Sequence, residues 1–165
     1  MNEVYAIVKD SISMKKLYGE VQLDPHLFVA LDLSIGDHLE ISNVANGRVS
    51  VGKLTESDLL NVGKGFIFMN WFLRRNLLIG IGEQVSIRKI VPKIAQKIEF
   101  MGANKPLRLK NAQSLSKKLF PYVFCVGDVF SFDLNGKLIS LAVKGFSPEG
   151  SAIRINEETE IVCNK

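Results

Sequence analysis

The sequence predicts a mainly-β chain with three short helices, folded as two sub-barrels, and three observations predict it. One pattern is written three times: apolar, any, apolar, Gly, acidic, any, apolar, any, apolar. The copies run from Leu33 to Ile41, from Ile79 to Ile87 and from Phe124 to Phe132, with Gly36, Gly82 and Gly127 at their centres. Alternation of apolar and other residues is the period of a half-buried strand. Glycine enters a positive-φ turn without steric cost, and an acidic residue after it favours turn geometry. Each copy therefore reads as an approach, a tight turn and a strand, with a short helical stretch before it. Even spacing points to a β-barrel built from repeated units rather than to three unrelated junctions.

In chain order, Val4 to Lys9 is apolar and β-branched and predicts a first strand. Tyr18 to Leu23 alternates and leads into Asp24-Pro25, an N-cap followed by a first-turn proline. The helix they start carries Leu27, Phe28 and Leu31 on one face and stops before Gly36. Strands over His38 to Val44 and Arg48 to Leu54 are joined by Asn46-Gly47, a tight hairpin signal because both residues accept positive φ. Thr55 to Lys64 reads as polar loop and Phe66 to Met69 as a short strand. Asn70 caps a second helix with Trp71, Leu73 and Leu77; Trp71 and Phe72, opening an apolar helix, are expected in the core rather than as an exposed platform. Strands follow at Val85 to Ile90 and Ile94 to Met101. The turn-rich Gly102-Ala103-Asn104-Lys105-Pro106 marks the expected boundary between subdomains 1–102 and 103–165. A third helix near Asn111 to Phe120 precedes strands at Val129 to Asp133, Lys137 to Phe146, Ala152 to Ile155 and Glu160 to Cys163, with Asn135-Gly136 as a second hairpin signal.

With 165 residues, 47% hydrophobic and 23% charged, the chain can bury a real core. Its apolar runs fall short of a bilayer span, and no leader-like segment is read at its start. Cys125 and Cys163 set no disulfide framework and are expected as buried thiols in a reducing compartment, hence a cytoplasmic location. The net charge of +4 is unevenly spread. Residues 74–118 hold eleven Lys/Arg against two Asp/Glu, an excess that reads as solvated basic loops or as a weak contact with an anionic surface: nucleic acid, membrane or acidic protein.

Met69-Asn70, Arg74, Asn76-Leu77, Ile81-Gly82-Glu83 and Val85-Ser86-Ile87 carry a resemblance. They are similar to the amino-terminal domain of AAA ATPases of the valosin-containing protein group, which includes archaeal valosin-like ATPases and, more distantly, the N-ethylmaleimide-sensitive fusion protein. The resemblance implies a double-ψ β-barrel of two interlocked halves, holding the first two copies, followed by a small four-stranded β-barrel holding the third. It implies catalysis elsewhere in a hexameric parent ATPase of the unfoldase type, and a cleft between subdomains that takes adaptor or substrate proteins. The cleft-lining positions it implies are Ser34, Ile35, Asp37, Gly52, Lys53, Leu54 and Tyr122. Relatives of the valosin type carry basic residues facing the ATPase ring where this chain has Leu78 and Gly80, and an aromatic residue where it has Ser34. Phe130-Ser131-Phe132 and Leu138 to Phe146 look more like the fusion protein, so a domain of an ATPase that disassembles membrane-fusion complexes stays open beside the unfoldase reading.

The residues agree that this chain is not an enzyme. Val62-Gly63-Lys64-Gly65 lacks the full G-x-x-x-x-G-K-[ST] of a phosphate loop and reads as a turn. His26 and His38 have no ligand spacing around them, so no metal and no cofactor are expected, and both are read as surface residues. Neither an Asp-Thr-Gly nor an Asp-Ser-Gly is present, and Gly150-Ser151 follows a Pro-Glu turn and reads as turn. A stand-alone basic barrel that binds nucleic acid remains the other class, although aromatics for base stacking are scarce in 74–118.

Overall fold

The computed structural model describes residues 2–11 and 19–164; the expected strand start at Tyr18 lies outside the described residues. The chain divides into two compact units, Met1–Val91 and Pro92–Lys165.

The first unit is a closed barrel of β1 (Val4–Asp10), β2 (Glu20–Leu23), β3 (His38–Asn43), β4 (Val49–Ser57), β5 (Phe66–Met69) and β6 (Gln84–Ile90), in spatial order β1-β5-β2-β4-β3-β6. Helix α1 (Pro25–Leu31) joins β2 to β3, and α2 (Trp71–Leu77) joins β5 to β6. The two halves repeat one topology. β2 pairs parallel with β4 and β5 pairs parallel with β1, while β3–β4 and β6–β1 are antiparallel. The half β2-α1-β3-β4 thus corresponds to β5-α2-β6-β1, with its last strand placed first in the chain. This is a double-ψ barrel. Its interior is aliphatic, with Val8, Leu23, Leu39, Ile41, Leu54, Ile67, Met69, Leu77, Val85 and Ile87 at 0% exposure. The strand period of two sends the strand residues among them inward from all six strands, and Leu77 joins them from α2.

Both helices start as read from the sequence: the Asp24 carboxylate accepts from the His26 N–H, and the Asn70 side chain from the Leu73 N–H. They end alike too, at Asp32 and Leu78 in the left-handed region, whose N–H groups donate back into the last turn. The α2 carbonyls left over are met by the β3–β4 hairpin, where the Asn43 and Asn46 amides donate to the Leu77 and Leu78 oxygens.

The Asn46-Gly47 turn differs from expectation. Gly47 alone has positive φ, and the Gly47 N–H reaches back to the Asn43 oxygen in a four-residue loop. The Asn46 side chain is engaged with α2, which fixes the longer loop. At Asn135-Gly136 both residues do take positive φ, and the two-residue turn forms. Thr55 to Ser57 is strand rather than loop, because Glu56 and Ser57 continue the parallel ladder with Gln22 and Leu23. Trp71 is 52% exposed and not core: as the first residue of α2 it projects outward, under the Arg75 guanidinium, while Leu73 and Leu77 take the buried face.

The second unit contains β7 (Lys93–Ile94), β8 (Lys97–Gly102), α3 (Ser116–Leu119), β9 (Val123–Phe124), β10 (Val129–Leu134), β11 (Lys137–Ser147), β12 (Ile153–Arg154) and β13 (Glu160–Asn164). They form a four-stranded sheet, β10-β11-β8-β13, and a three-stranded sheet, β7-β12-β9. This is the small β-barrel. The Gly102–Pro106 stretch lies inside this unit and not at its edge. The reason is pairing: β8 sits between β11 and β13, so residues 97–102 belong with the sheet that follows them. The core is aromatic, with Phe100, Phe124 and Phe130 buried and their rings 5.1–5.5 Å apart.

Candidate functional site: the first turn and Tyr122

The three sequence copies fold into one turn used three times. In Ser34–Asp37, Gly80–Glu83 and Cys125–Asp128 the last N–H donates to the first carbonyl, at 3.1, 3.3 and 3.2 Å. The third residue is the glycine, with φ of 96°, 89° and 88°, the geometry of a type II turn. The carboxylate of the acidic residue then turns back and accepts from the first N–H. Asp37 takes the Ser34 N–H at 2.8 Å, Asp128 takes the Cys125 N–H at 2.9 Å, and Glu83 takes that of Gly80. Two further backbone bonds fasten each turn to a neighbouring strand. The Gly36 N–H donates to the Leu54 oxygen, that of Gly82 to Val8 and that of Gly127 to Val143. The Leu54, Val8 and Val143 N–H groups donate in return to the oxygens of Asp37, Glu83 and Asp128.

The acid in the repeat is therefore a structural clasp, and the residue before each glycine is left outside. Ile35, Ile81 and Val126 are 60%, 55% and 58% exposed. The sequence reads these as strand approach and gives no hint of their exposure. Spacing alone cannot separate a buried alternation from the second position of a type II turn, which points away from its strand.

At the first turn, Ser34 and Ile35 are exposed and Asp37 is half-buried. Asp37 meets the Lys89 ammonium at 2.8 Å; that bond, with the Ser34 N–H, holds its carboxyl below the usual range against the opposing effect of burial. Lys89 also donates to the Asp32 oxygen at 3.0 Å, so it ties the end of α1 to the turn. Sequence reasoning missed it, because only the register of β3 on β6 brings residue 89 there. Lys53 is exposed on β4 opposite His38, which is half-buried rather than fully at the surface.

Gly52 and Leu54 are not available to a partner. Leu54 is 0% exposed and points into the barrel. Gly52 is buried, and a Cβ there would lie 2.8 Å from a Val21 methyl. Strand alternation explains the split, since of these three neighbours only Lys53 faces outward. Tyr122 lies in the second unit, half-buried, with its ring 6.2 Å from Phe124 and 6.0 Å from Phe130. Burial pushes its hydroxyl pKa up. It is a wall of the aromatic core as well as a surface residue.

No group of three or more His, Cys, Asp or Glu suited to a metal is found among the described residues. The glycines of the Val62–Gly65 turn do cradle an anion, but it is the protein's own. The Asp24 carboxylate accepts from the Gly63 N–H at 3.0 Å and the Gly65 N–H at 2.6 Å. The basic segment 74–118 is partly neutralised and crosses from one unit into the other. Arg74 pairs with Asp10, Arg88 with Glu40, Lys89 with Asp37 and Lys97 with Glu99, and Lys118 donates to the Asp133 oxygen.

A closed double-ψ barrel and a small β-barrel, with the same clasped turn in both, define the class of fold. Residues 106–165 match the family model of domain 2 of cell division protein 48. Protein CdcH of Halobacterium salinarum is 34% identical over 89 residues, which cover 54% of this chain and 12% of that protein. The chain thus spans a small part of that curated relative. The N-terminal domain of VAT, the valosin-like ATPase of Thermoplasma, superposes with a TM-score of 0.77 at 22% identity, over 99% of this chain and 92% of that one. The double-ψ barrel domain of the valosin-like ATPase from Aeropyrum pernix has a TM-score of 0.50 at 23% identity, covering 55% of this chain and 99% of that domain. The second unit thus resembles domain 2 of cell division protein 48 in sequence, and the whole chain has the fold of the N-terminal domain of VAT. The match is to that domain and not to an ATPase catalytic domain.

Proposed function

We propose that this chain recognises adaptor or substrate proteins for a hexameric AAA ATPase of the unfoldase type, of which it is the amino-terminal domain. The observation that carries the reading is Ile35, an aliphatic side chain 60% exposed on a turn that backbone bonds and the Asp37 carboxylate hold in place. A rigid apolar tip loses little conformational freedom on binding, so more of its contact energy appears as affinity. Ser34 and Lys53 add a polar rim, while Asp37, Gly52 and Leu54 act by holding that surface rather than by touching the partner. Tyr122, in the second unit, presents a broad ring and a hydroxyl of its own to a partner. Contact with the ATPase ring would be apolar where relatives use basic residues, because Leu78 is 60% exposed and Gly80 is also exposed.

The test is amide-shift mapping of the isotopically labelled chain against a protein partner recovered with it from its source cells. Shifts should cluster at residues 34–37 and 53, and Ile35→Asp should weaken binding about tenfold, the scale of an interface anchor. Shifts confined to the β10–β11 hairpin, with Ile35→Asp binding as wild type, would show the site assignment to be wrong.

A further inference from the structure

Strand β13 lies at the edge of its sheet, with β8 on one side and no strand on the other among the described residues. In a parallel ladder alternate residues turn their backbone groups to the neighbour. The Glu160 N–H donates to the Gln96 oxygen, so Glu160, Val162 and Asn164 face β8 while Ile161 and Cys163 face outward. One side chain already uses this edge. The Gln113 carboxamide accepts from the Ile161 N–H at 3.0 Å and donates to the Thr159 oxygen at 2.9 Å. That is the pair of bonds one residue of a parallel partner strand makes. Beyond it, the Ile161 oxygen and the N–H and oxygen of Cys163 meet no partner among the described residues. Cys163 and Asn164 are half-buried, so the edge is not sealed.

The chain between Gly102 and Gln113 leads from one end of β13 to the other. It starts beside Met101, which pairs with Asn164, and the Lys105 oxygen closes on Gly102 where a Cβ would be. It finishes at Gln113, on Ile161 and Thr159. Between them Leu107 and Leu109 are half-buried and Arg108 and Lys110 exposed, the alternation of a strand. Yet Leu107 to Lys110 make no hydrogen bond to any described residue. Two rows of unpaired backbone groups, on the edge and on this segment, form a template for another extended chain. The bases decide its charge. Lys105, Arg108 and Lys110 are exposed, and no Asp or Glu occurs from residue 100 to residue 127. The carboxylates of this surface are placed elsewhere. Glu160, on β13 itself, stands opposite Lys97, and Glu99, one strand in, is bridged to Lys97. Glu157 and Glu158 lie in the turn before Thr159, at the end that Gln113 closes.

We propose that the outer edge of β13 takes an extended acidic segment of a partner protein as an added strand, its backbone on Ile161 and Cys163 and its carboxylates toward Lys105, Arg108 and Lys110. This edge lies wholly in the second unit and does not depend on what binds at the first turn. The probe is a short peptide of alternating valine and glutamate, titrated into the isotopically labelled full chain. Amides of residues 161–164 and 107–110 should shift. The same peptide N-methylated at alternate amides should bind about tenfold more weakly, because main-chain bonds carry strand addition. A valine–lysine peptide should be weaker by about as much, from like charge. Cys163→Pro removes an outward N–H and no ladder bond, so it should keep a cooperative melt and lose the peptide. Arg108→Glu with Lys110→Glu should weaken binding about tenfold and flatten its salt dependence, with the spread of amide shifts unchanged. The proposal is overturned if the shifts miss residues 161–164 or if the N-methylated peptide binds equally. It is overturned too if the Cys163 and Arg108 amides exchange slowly in the free chain, since the 107–110 segment would then close the edge itself. Duplex DNA that shifts residues 105–110 while the peptide shifts nothing would also sink it, making the segment a phosphate contact.

Discussion

At the scale of single residues, two positions set the cost and the grip of the first barrel. Leu78 ends α2 with φ of 49°, a conformation that L side chains adopt at a cost of roughly 1–2 kcal/mol. Its side chain is 60% exposed, so little packing offsets that cost. Leu78→Gly should therefore raise stability by about 1 kcal/mol, read as a higher urea midpoint with an unchanged slope. Asp24 works in the other direction. Burial alone would raise its pKa, but the N–H groups of Gly63, Gly65 and His26 outweigh burial and hold it below the usual carboxylate range. A carboxyl with a depressed folded pKa adds stability at pH above its unfolded value of about 3.9. That contribution fades as pH falls through the folded value. Wild type should accordingly lose stability on acidification below about pH 4 more steeply than Asp24→Ala. The variant should be weaker by about 3 kcal/mol at neutral pH, having lost a helix cap and left two loop N–H groups without their carboxylate. Equal acid slopes for the two proteins would refute the assignment.

At the scale of elements, the clasped turn shows how much the sequence makes legible. Glycine at a fixed spacing, an acid after it and alternation on either side suffice to predict turn and strand at all three copies. The helix starts at Asp24-Pro25 and Asn70 are equally readable, because capping is local chemistry. What could not be read depends on contacts between distant residues. The ladder with β2 makes Thr55 to Ser57 a strand, Lys89 reaches Asp37 across the β3–β6 register, and alternation within β4 buries Gly52 and Leu54 while exposing Lys53. Tyr122 is the sharpest case. As a surface anchor it could be removed without harm to the fold, yet its ring extends the Phe124–Phe130 cluster. Tyr122→Ala should destabilise the second unit by about 1–2 kcal/mol, whereas Tyr122→Phe should leave it intact, since the ring rather than the hydroxyl makes the packing. Thermal melts of the two variants separate the roles, and equal melting of Tyr122→Ala and wild type would mean the ring contributes nothing to the core.

At the scale of the whole molecule, the place where one unit ends and the next begins follows from strand pairing, not from turn composition. Residues 97–102 form β8, whose Ile98 and Phe100 are 0% exposed and whose two edges pair with β11 and β13. Without β8 the four-stranded sheet loses its bridge: among the described residues β13 has no other strand partner, and Phe124 and Phe130 lose the ring they both pack on. The first barrel is in the opposite position. It closes through the β1–β6 ladder, from Val4 on Ile87 to Ile7 on Gln84, and needs nothing after Val91 to do so. Burying two large apolar side chains contributes roughly 3–6 kcal/mol, comparable with the entire stability of a small domain. A fragment of residues 92–165 should therefore fold, with dispersed amide proton shifts and a cooperative melt, while 103–165 should remain unfolded. Residues 1–91 should melt at the same temperature as 1–102, since the added strand finds no partner in the barrel. If 103–165 folds cooperatively, or if 1–102 is clearly more stable than 1–91, then β8 belongs energetically to the first unit and the pairing argument is wrong.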